Sequence, residues 1–161
     1  YRLVLLQTDR LYGLSKFRMN YYSTFITAAP DCPVDEGVIP PAKQGGPTKP
    51  RIEYELLSAH PYTFTQEELI YEVHVRHKGI SEEERESRGD EIREALFQKP
   101  QPCLRASMLP KKYGWGLHFD TDGKIALYGK ESPEYQRFLE NKDGSLKLLP
   151  AMRNGKARPG V

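Results

Sequence analysis

Asp122-Gly123 narrows the possible folds of this chain more than any other dipeptide in it, because stretches with the alternation of β-strands lie on both sides, at 115–120 and 124–129. Asp-Gly between such stretches is the strongest short-range signal for a β-hairpin, since both residue types tolerate the positive φ angles of a two-residue turn. A two-residue turn pairs Gly116 with Gly129 and thereby fixes the register. The sequence thus predicts an antiparallel hairpin whose two glycines lie directly opposite each other.

The same register assigns each side chain of the hairpin to one face of the sheet, because successive strand residues point to opposite sides. The predicted core face is bulky and apolar and holds Trp115, Leu117, Phe119, Ala126 and Tyr128. The other face holds Gly116, His118, Asp120, Ile125, Leu127 and Gly129. Two missing side chains then leave a hollow beside His118. Paired strand glycines mark a close approach by another part of the chain or by a ligand, so the hollow is either a packing position for a helix or a ligand pocket.

Capping signals predict two helices before the hairpin. Thr65 with Glu68, and Ser81 with Glu84, form capping boxes in which the hydroxyl accepts a hydrogen bond from the third amide of the helix while the glutamate reaches back. The second of these helices is predicted at 81–98, where a proline follows the end of the pattern.

The segment 66–77, after the first capping box, carries two opposing signals. The capping box favours a helix, whereas the alternation of Tyr71, Val73 and Val75 with polar residues is typical of a strand. A capping box is a local and positive signal, while a short alternation arises easily by chance, so we expect a helix here. A strand would instead add one member to the sheet.

The remaining elements complete a single α+β domain. Further strands are predicted at 21–27, 103–107 and 146–152, and further helices at 52–57 and from Ser132 onward. The proline-rich stretch 30–50 is predicted as an extended loop. The expected architecture is an N-terminal strand and helices, followed by an antiparallel β-β-β-α-β half.

Met19 lies where the character of the sequence changes, and we predict it as the natural start of the domain. Residues 1–18 are then upstream-encoded or vector-derived, or a targeting peptide, which their basic and nearly acid-free composition resembles. A single serine and the lack of a clear cleavage context favour the first interpretation. The domain accordingly spans 19–152, and 153–161 is predicted as a disordered basic tail.

Charge and composition exclude several classes of protein. The net charge is +2 at pH 7, and the basic excess lies in residues 1–18 and 151–161. A small acidic excess remains between them, whereas affinity for duplex DNA comes largely from basic side chains on phosphates, so a nucleic-acid partner is not expected. No apolar run reaches the ~18 residues of a membrane-spanning helix. Two cysteines, Cys32 and Cys103, exclude a disulfide scaffold, and the cytoplasm is the expected compartment.

Hydrogen-bond donors cluster around the predicted hollow. Arg105, Lys112 and Tyr113 lie close to His118 in the sequence. Guanidinium, ammonium, phenol and imidazole groups suit a carboxylate or a phosphate. The leading hypothesis is therefore a binding module for an anionic small molecule or an acidic peptide at this hollow. The opposing interpretation pairs the basic side chains with acidic helix residues such as Glu82–Glu84.

Two other functions are compatible with the sequence. An enzyme would use Cys103 with His118, since a neighbouring imidazolium lowers the pKa of a thiol and activates it as a nucleophile. The two side chains meet only if the strand at 103–107 pairs with the hairpin in one of two registers, and the connecting loop does not select between them. An interaction protein would instead use the loop 30–50.

The sequence contains no pattern for a metal or a cofactor. His74 and His77 share one helix face, but no zinc-ligand spacing is present. Asp120–Glu131 has the length of a calcium-binding loop, yet its sixth position is Ile125, where glycine is required. No phosphate-binding or dinucleotide-binding glycine motif occurs. We therefore expect neither a metal nor a cofactor.

Five longer stretches carry a resemblance to a known family. They are Asp31–Val34, Gly37–Pro41, Gln101–Ser107, Lys112–His118 and Ile125–Ser132. Together they are similar to a family of small, mostly bacterial and fungal proteins known only as a domain of unknown function, over residues 20–153. The resemblance supports Met19 as the start of the domain, and it implies no activity, substrate, cofactor or catalytic residue.

Overall fold

Residues 20–155 are described by the computed structural model of the chain. The predictions for residues 1–18, for the start at Met19 and for the last part of the basic tail lie outside the described residues. Asn154, in the part of that tail that is described, is held by hydrogen bonds. Its amide donates to the Asp31 carboxylate at 2.9 Å, and its side chain donates to the Lys111 carbonyl at 2.8 Å.

Residues 20–155 contain a four-stranded β-sheet. Its strands are β1 (Thr24–Thr27), β2 (Trp115–Phe119), β3 (Ile125–Gly129) and β4 (Lys147–Pro150). They lie in the order β3-β2-β1-β4, with β1 antiparallel to β2 and parallel to β4. The sheet is therefore mixed, and its N-terminal strand lies between strands from the other end of the chain.

Five α-helices accompany the sheet within residues 20–155. They are α1 (Lys49–Ala59), α2 (Gln66–His77), α3 (Glu82–Gln98), α4 (Met108–Lys112) and α5 (Pro133–Glu140). The helices predicted around 52–57, at 81–98 and from Ser132 onward are thus confirmed as α1, α3 and α5. The whole is a single α+β domain, as the sequence predicts.

The two faces of the sheet have different partners. Ile26, Leu117 and Phe119 are completely buried on one face. They pack with apolar residues of α1 and α2, namely Ile52, Leu56, Leu57, Leu69 and Val73. On the other face, the ring of Phe25 meets that of Tyr135 from α5 edge-on, with centroids 5.1 Å apart. The main core therefore lies between the sheet and α1 and α2, while α5 covers the opposite face.

The helix predicted after the first capping box is confirmed as α2. The Glu68 amide donates to the Thr65 hydroxyl at 3.3 Å, and the Thr65 amide donates to the Glu68 carboxylate at 3.0 Å, which completes the box. The strand-like alternation arises because α2 is buried on two sides. Val73 belongs to the core beneath the helix, whereas Tyr71 lies under guanidinium groups of α3. Burial on two sides produces apolar residues at alternate positions as well as at helical spacing.

The hairpin forms, but its predicted register is wrong by one residue. Gly116 lies opposite Tyr128 and not opposite Gly129. A shift of one residue moves every side chain of β3 to the other face of the sheet. Ile125 consequently joins the core and is fully buried, while the Tyr128 ring lies near that of His118 on the α5 face.

A three-residue loop, 121–123, accounts for this register. The Asp120 amide donates to the Lys124 carbonyl at 2.9 Å, and the Asp120 carboxylate accepts hydrogen bonds from the Asp122 and Lys124 amides, both at 2.9 Å. Gly123 has a φ of +79°, as the last residue of a three-residue hairpin loop requires. Asp-Gly marks the hairpin correctly, but Asp120 outside the dipeptide selects the longer loop.

The strand predicted at 103–107 is wrong. Leu104–Ala106 forms a turn of 3-10 helix, and the Ser107 hydroxyl then accepts a hydrogen bond from the Leu109 amide at 3.2 Å and caps α4. Gln66, which is fully buried, accepts a hydrogen bond at 2.8 Å from the first amide of the 3-10 turn. β1 takes the place beside β2 that this segment was expected to occupy. The predicted β-β-β-α-β half is therefore an α-β-β-α-β half.

Candidate functional site

The space beside Gly116 is filled by two aromatic rings. A Cβ on this glycine would overlap Cζ of Phe25 and lie 2.8 Å from Cε2 of Tyr135, and both side chains are buried. The Tyr135 hydroxyl accepts a hydrogen bond from the Ala28 amide at 2.9 Å, which fixes the ring in place. Gly116 thus allows α5 to approach the sheet. The packing interpretation is correct, and the room that was expected for a ligand is occupied.

His118 belongs to an aromatic cluster on the α5 face of the sheet. The Tyr62 hydroxyl lies 2.8 Å from Nδ1 of His118 and 2.8 Å from the Tyr128 hydroxyl. The imidazole stacks on the ring of Phe138 from α5, with centroids 4.3 Å apart and an angle of 7° between the planes. Burial lowers the pKa of His118, while the charge of Asp120 opposes this effect. The imidazole is therefore uncharged at neutral pH.

The other side chains predicted to bind an anion lie elsewhere. Arg105 donates from Nε to the Pro150 carbonyl at 2.8 Å, at the end of β4. Lys112 is exposed at the end of α4, and Tyr113 follows it. An open space of about 420 Å³ adjoins His118, but it is lined by α5 and the loop after it and by none of these three residues. The structure does not assemble the predicted anion site.

Cys103 and His118 do not form a pair. Cys103 lies beside Tyr21, and burial together with a hydrogen bond to this thiol raises the pKa of Tyr21 to about 12. The Tyr21 ring packs edge-on against Phe119, with centroids 5.3 Å apart. Phe119 points into the core, whereas the preceding residue of β2, His118, points to the α5 face. The sheet thus separates the thiol from the imidazole.

A cleft lies between α1, α2, the end of α3 and the segment 101–108, and it encloses about 260 Å³. Its walls are mostly apolar and consist of Pro50, Leu69, Ile70, Val73, Leu96, Pro102, Leu104, Ala106 and Met108. Its polar side chains are Lys49, Glu53, His74, Gln101, Cys103 and Ser107. We refer to this space as the Glu53 cleft.

Glu53 is the ionisable group that this environment changes most. Burial raises its pKa to about 7, although the Ser107 hydroxyl, 3.4 Å from Oε1, and the charge of Lys49 both act to lower it. At neutral pH the carboxyl group is thus close to half protonated, so it is able to donate as well as accept a hydrogen bond. Perturbed carboxyl groups in apolar cavities are typical of binding and catalytic sites.

The N-terminus of α1 brings positive charge to the Glu53 cleft. Lys49 and Pro50 form the first turn of α1 and line the cleft, and this turn contains no acidic side chain and no side-chain cap from Thr48. The free amides of a helix N-terminus carry partial positive charge. His74 faces the cleft from α2, and burial together with the charges of Lys78 and Lys49 lowers its pKa. An ammonium group, a neutral imidazole and a half-protonated carboxyl therefore line one small cavity.

No sequence pattern marks Lys49, Glu53 or Ser107 as residues of a site. Glu53 falls inside a helix that was recognised only from the spacing of its apolar residues. The opposite wall of the cleft comes from 101–108, part of which was predicted as a strand, so no pattern brought the two together. The sequence signal that could have pointed to this site is the Lys49-Pro50 pair, which begins a helix whose first turn lacks acidic residues.

The proline-rich loop, predicted at 30–50, ends where α1 begins at Lys49, and it is held against the hairpin. Nε1 of Trp115 donates to the Val38 carbonyl at 2.8 Å, and Nζ of Lys130 donates to the Val34 carbonyl at 3.0 Å. The Val38 side chain itself remains exposed. Binding of a protein partner at this loop stays a prediction.

Comparison with known protein families gives one positive finding. The model of a family of unknown function, DUF6157, matches residues 16–157, a range that includes all five stretches on which the resemblance rests. No curated protein and no solved structure matches the chain. Among the helices of residues 20–155, none has the length and apolar composition to cross a membrane. The same residues contain no group of three or more His, Cys, Asp or Glu side chains placed to hold a metal ion.

Proposed function

We propose that this chain, which belongs to the DUF6157 family of unknown function, binds a small and largely apolar molecule with an anionic head group in the Glu53 cleft. The proposal rests on the environment of the Glu53 carboxyl group. Its pKa lies at about 7 inside a mostly apolar cavity that also contains Lys49 and Ser107. A cavity with apolar walls, a few convergent polar groups and a perturbed pKa has the features expected of a ligand site.

The dimensions and walls of the cleft favour a small apolar body. Its volume of about 260 Å³ is below the roughly 300–1,000 Å³ of pockets for drug-sized ligands. Ile70 and Met108, which are both partly exposed, offer hydrocarbon and thioether surface. Burial of apolar ligand surface against such walls contributes about 25 cal/mol for each Å² removed from water.

Three features favour an anionic head group on that body. Lys49 supplies a full positive charge, and the N-terminal end of the α1 dipole adds a partial one, although Pro50 in this turn has no amide proton. Protonated Glu53 donates a hydrogen bond that a carboxylate or phosphate oxygen accepts. Such charge-assisted hydrogen bonds are shorter and stronger than those between neutral groups.

Binding of an anion at this position is coupled to the protonation of Glu53. The ionised carboxylate repels a negative head group, whereas the protonated carboxyl binds it, so the bound ligand raises the pKa of Glu53 further. The complex therefore takes up a proton when it forms near neutral pH. Affinity in this cleft is expected to increase as the pH falls.

The ligand class is the one expected from the sequence, but the site is a different one. At Gly116 the rings of Phe25 and Tyr135 leave no room for a ligand, and the Arg105 guanidinium is directed to the Pro150 carbonyl. The Glu53 cleft offers space, a cation and hydrogen-bond donors together.

Calorimetric titration with 3-phenylpropionate and its neutral analogue 3-phenylpropanamide tests the proposal. At pH 6 the acid should bind at least about tenfold more tightly than the amide, because only the acid gains the charge-assisted contacts. Lys49→Gln should weaken binding of the acid by about the same factor. Lys147→Gln removes an exposed cation of β4 that does not line the cleft and should leave the affinity unchanged.

Three outcomes contradict the proposal. They are equal affinity for the acid and the amide, unchanged affinity in Lys49→Gln, and no saturable binding of 3-phenylpropionate at millimolar concentration.

A further inference from the structure

α3 is attached to the rest of the domain without burying any of its own residues. A helix of this length normally attaches through an apolar face that is buried in the core. The neighbouring helix α2, by contrast, buries residues on the side that faces the core and on the side that faces α3. The attachment of α3 therefore depends on contacts other than apolar packing.

Two carboxylates of α2 supply these contacts. Glu72, 9% exposed, accepts a hydrogen bond at 3.0 Å from Arg85 of α3 and also pairs with Arg76 of its own helix. Glu67, 5% exposed, pairs with Arg93 of α3 at 3.0 Å. Arg85 and Arg93 lie on either side of a kink at Arg88, so each half of α3 is held at one point.

The Tyr71 ring lies between these two ion pairs. The guanidinium carbons of Arg85 and Arg93 are both 5.4 Å from its centroid, within the range of cation–π attraction. Gly89 of α3 comes close to the same side chain, since a Cβ on this glycine would lie 3.4 Å from the Tyr71 hydroxyl. The interface between α2 and α3 thus consists largely of charged groups around one aromatic ring.

The same helix contributes one residue to the lining of the Glu53 cleft. Leu96, near the end of α3, lines the cleft, and Gln101 lines it after the helix has ended. Both ends of α3 adjoin backbone that is not helical. Gly79, with a φ of +67°, precedes the helix, and Lys99 is extended after it. Movement of α3 away from α2 would open the cleft on the side of Leu96.

We propose that α3 is a lid of the Glu53 cleft and that the ion pairs of Glu67 and Glu72 hold it closed. The role of the lid in admitting a ligand rests on the proposed function, whereas its opening does not depend on a ligand. An interface of ion pairs separates readily in water, because hydration of the carboxylates and guanidinium groups offsets much of the lost attraction. Segments with few buried apolar contacts open well below the free energy of global unfolding.

Hydrogen–deuterium exchange of the full chain, followed by mass spectrometry, tests this lid. Arg85→Gln/Arg93→Gln removes the α3 side of both ion pairs. Arg88→Gln is the matched control, because Arg88 pairs only with Glu84 and Glu91 of α3 itself among the described residues. Amides of 82–98 should exchange at least about fivefold faster in the double variant than in the control, while those of β2 keep their rates. Added salt should accelerate exchange of α3 in the unmodified protein, since salt screens partly exposed ion pairs.

A second measurement links the motion to the cleft. Cys103 lines the Glu53 cleft, so its alkylation by iodoacetamide reports how accessible the cleft is. With Cys32→Ser as the background, the double variant should be alkylated at Cys103 several-fold faster than the Arg88→Gln control.

The outcomes separate the lid from the binding function. Equal exchange rates of the 82–98 amides in the double variant and in the control would contradict the proposed lid. An equal increase in the exchange rates of α3 and β2 would contradict it as well. Faster exchange of α3 with unchanged alkylation of Cys103 overturns its connection to the cleft. If both rates rise as expected and 3-phenylpropionate still does not bind, the lid is supported and the proposed function is contradicted.

Discussion

Gly116 lies directly beneath the ring of Phe25, so close that a Cβ on the glycine would overlap Cζ of the ring. Phe25 is completely buried in β1, and its ring packs against those of Tyr135 and Phe138 of α5. Tyr135 closes the other side of the same position, and its hydroxyl is fixed by the Ala28 amide. The glycine is therefore the residue that lets α5 pack onto the sheet.

Gly116→Val should destabilise the protein by about 1–3 kcal/mol, because an added side chain overpacks a rigid contact. Gly129→Ala is the matched control in β3. The atoms nearest to a Cβ there belong to the exposed Glu131 side chain, whose carboxylate is held only by a long hydrogen bond of 3.4 Å from the Gly37 amide, so the cost should be about 0.5 kcal/mol or less. Urea denaturation gives both free energies of unfolding. A Gly116→Val protein as stable as the Gly129→Ala control would contradict the packing role of this glycine.

Asp122-Gly123 predicts the hairpin but not its register. The dipeptide is compatible with loops of two and of three residues. The loop length depends on Asp120, whose carboxylate accepts hydrogen bonds from the Asp122 and Lys124 amides. That one-residue difference exchanges the two faces of β3. The local pattern is therefore sufficient for the element, whereas the position of each side chain depends on a single contact outside the pattern.

The Glu53 cleft could not be predicted because one of its walls depends on a contact between distant parts of the chain. The segment after Pro102 is compatible with a strand or a turn when considered alone. The Gln66 side chain of α2 accepts a hydrogen bond from the Leu104 amide and thereby stabilises the turn. α2 itself could be predicted because its capping box is complete within four residues, Thr65 to Glu68.

Glu53 should make the stability of the protein fall as the pH rises. Its pKa is about 7 in the folded protein against a usual value of 4.5, so the folded state holds the proton more tightly than the unfolded chain. Its contribution is therefore complete below about pH 4.5 and is lost as the pH rises through about 7. The loss between pH 5 and pH 8.5 should reach up to about 3 kcal/mol.

Urea denaturation of three proteins at several pH values measures this contribution. Glu53→Gln should lack the decrease, whereas Glu55→Gln, at an exposed position of the same helix, should keep it. Identical pH profiles for Glu53→Gln and the unmodified protein would exclude a raised pKa of the half-buried Glu53 carboxyl.

The affinity for 3-phenylpropionate should also decrease as the pH rises, because it depends on the protonation of Glu53. Above pH 7 the ionised Glu53 carboxylate repels the ligand, so affinity should fall by up to about tenfold between pH 7 and pH 8. In Glu53→Gln the amide donates a hydrogen bond at every pH, and the affinity should change little over this interval. Calorimetric titrations at pH 6, 7 and 8 make the comparison. A parallel loss of affinity in both proteins would assign the pH dependence to another group.

Tyr62→Phe should destabilise the protein by about 1 kcal/mol, because the Tyr62 hydroxyl joins Nδ1 of His118 to the Tyr128 hydroxyl. Tyr22→Phe alters a tyrosine whose side chain is largely exposed and should have little effect. The free energy of unfolding at pH 7.5 gives both values. Equal stability of the two variants would mean that the Tyr62 hydroxyl contributes nothing to the aromatic cluster.

His118 should act in the opposite direction to Glu53 as the pH changes. Burial lowers the pKa of His118 below its usual value of 6.5, so the folded state holds the proton less tightly than the unfolded chain. The stability that this group contributes is complete above about pH 6.5 and is lost as the pH falls through the lowered pKa. As the pH falls over the same interval, protonation of Glu53 stabilises the folded protein. The His118 contribution therefore has to be measured as a difference in unfolding free energy between two proteins. The stability of His118→Gln relative to the unmodified protein should therefore increase from pH 7.5 to pH 5, which urea denaturation at the two pH values measures.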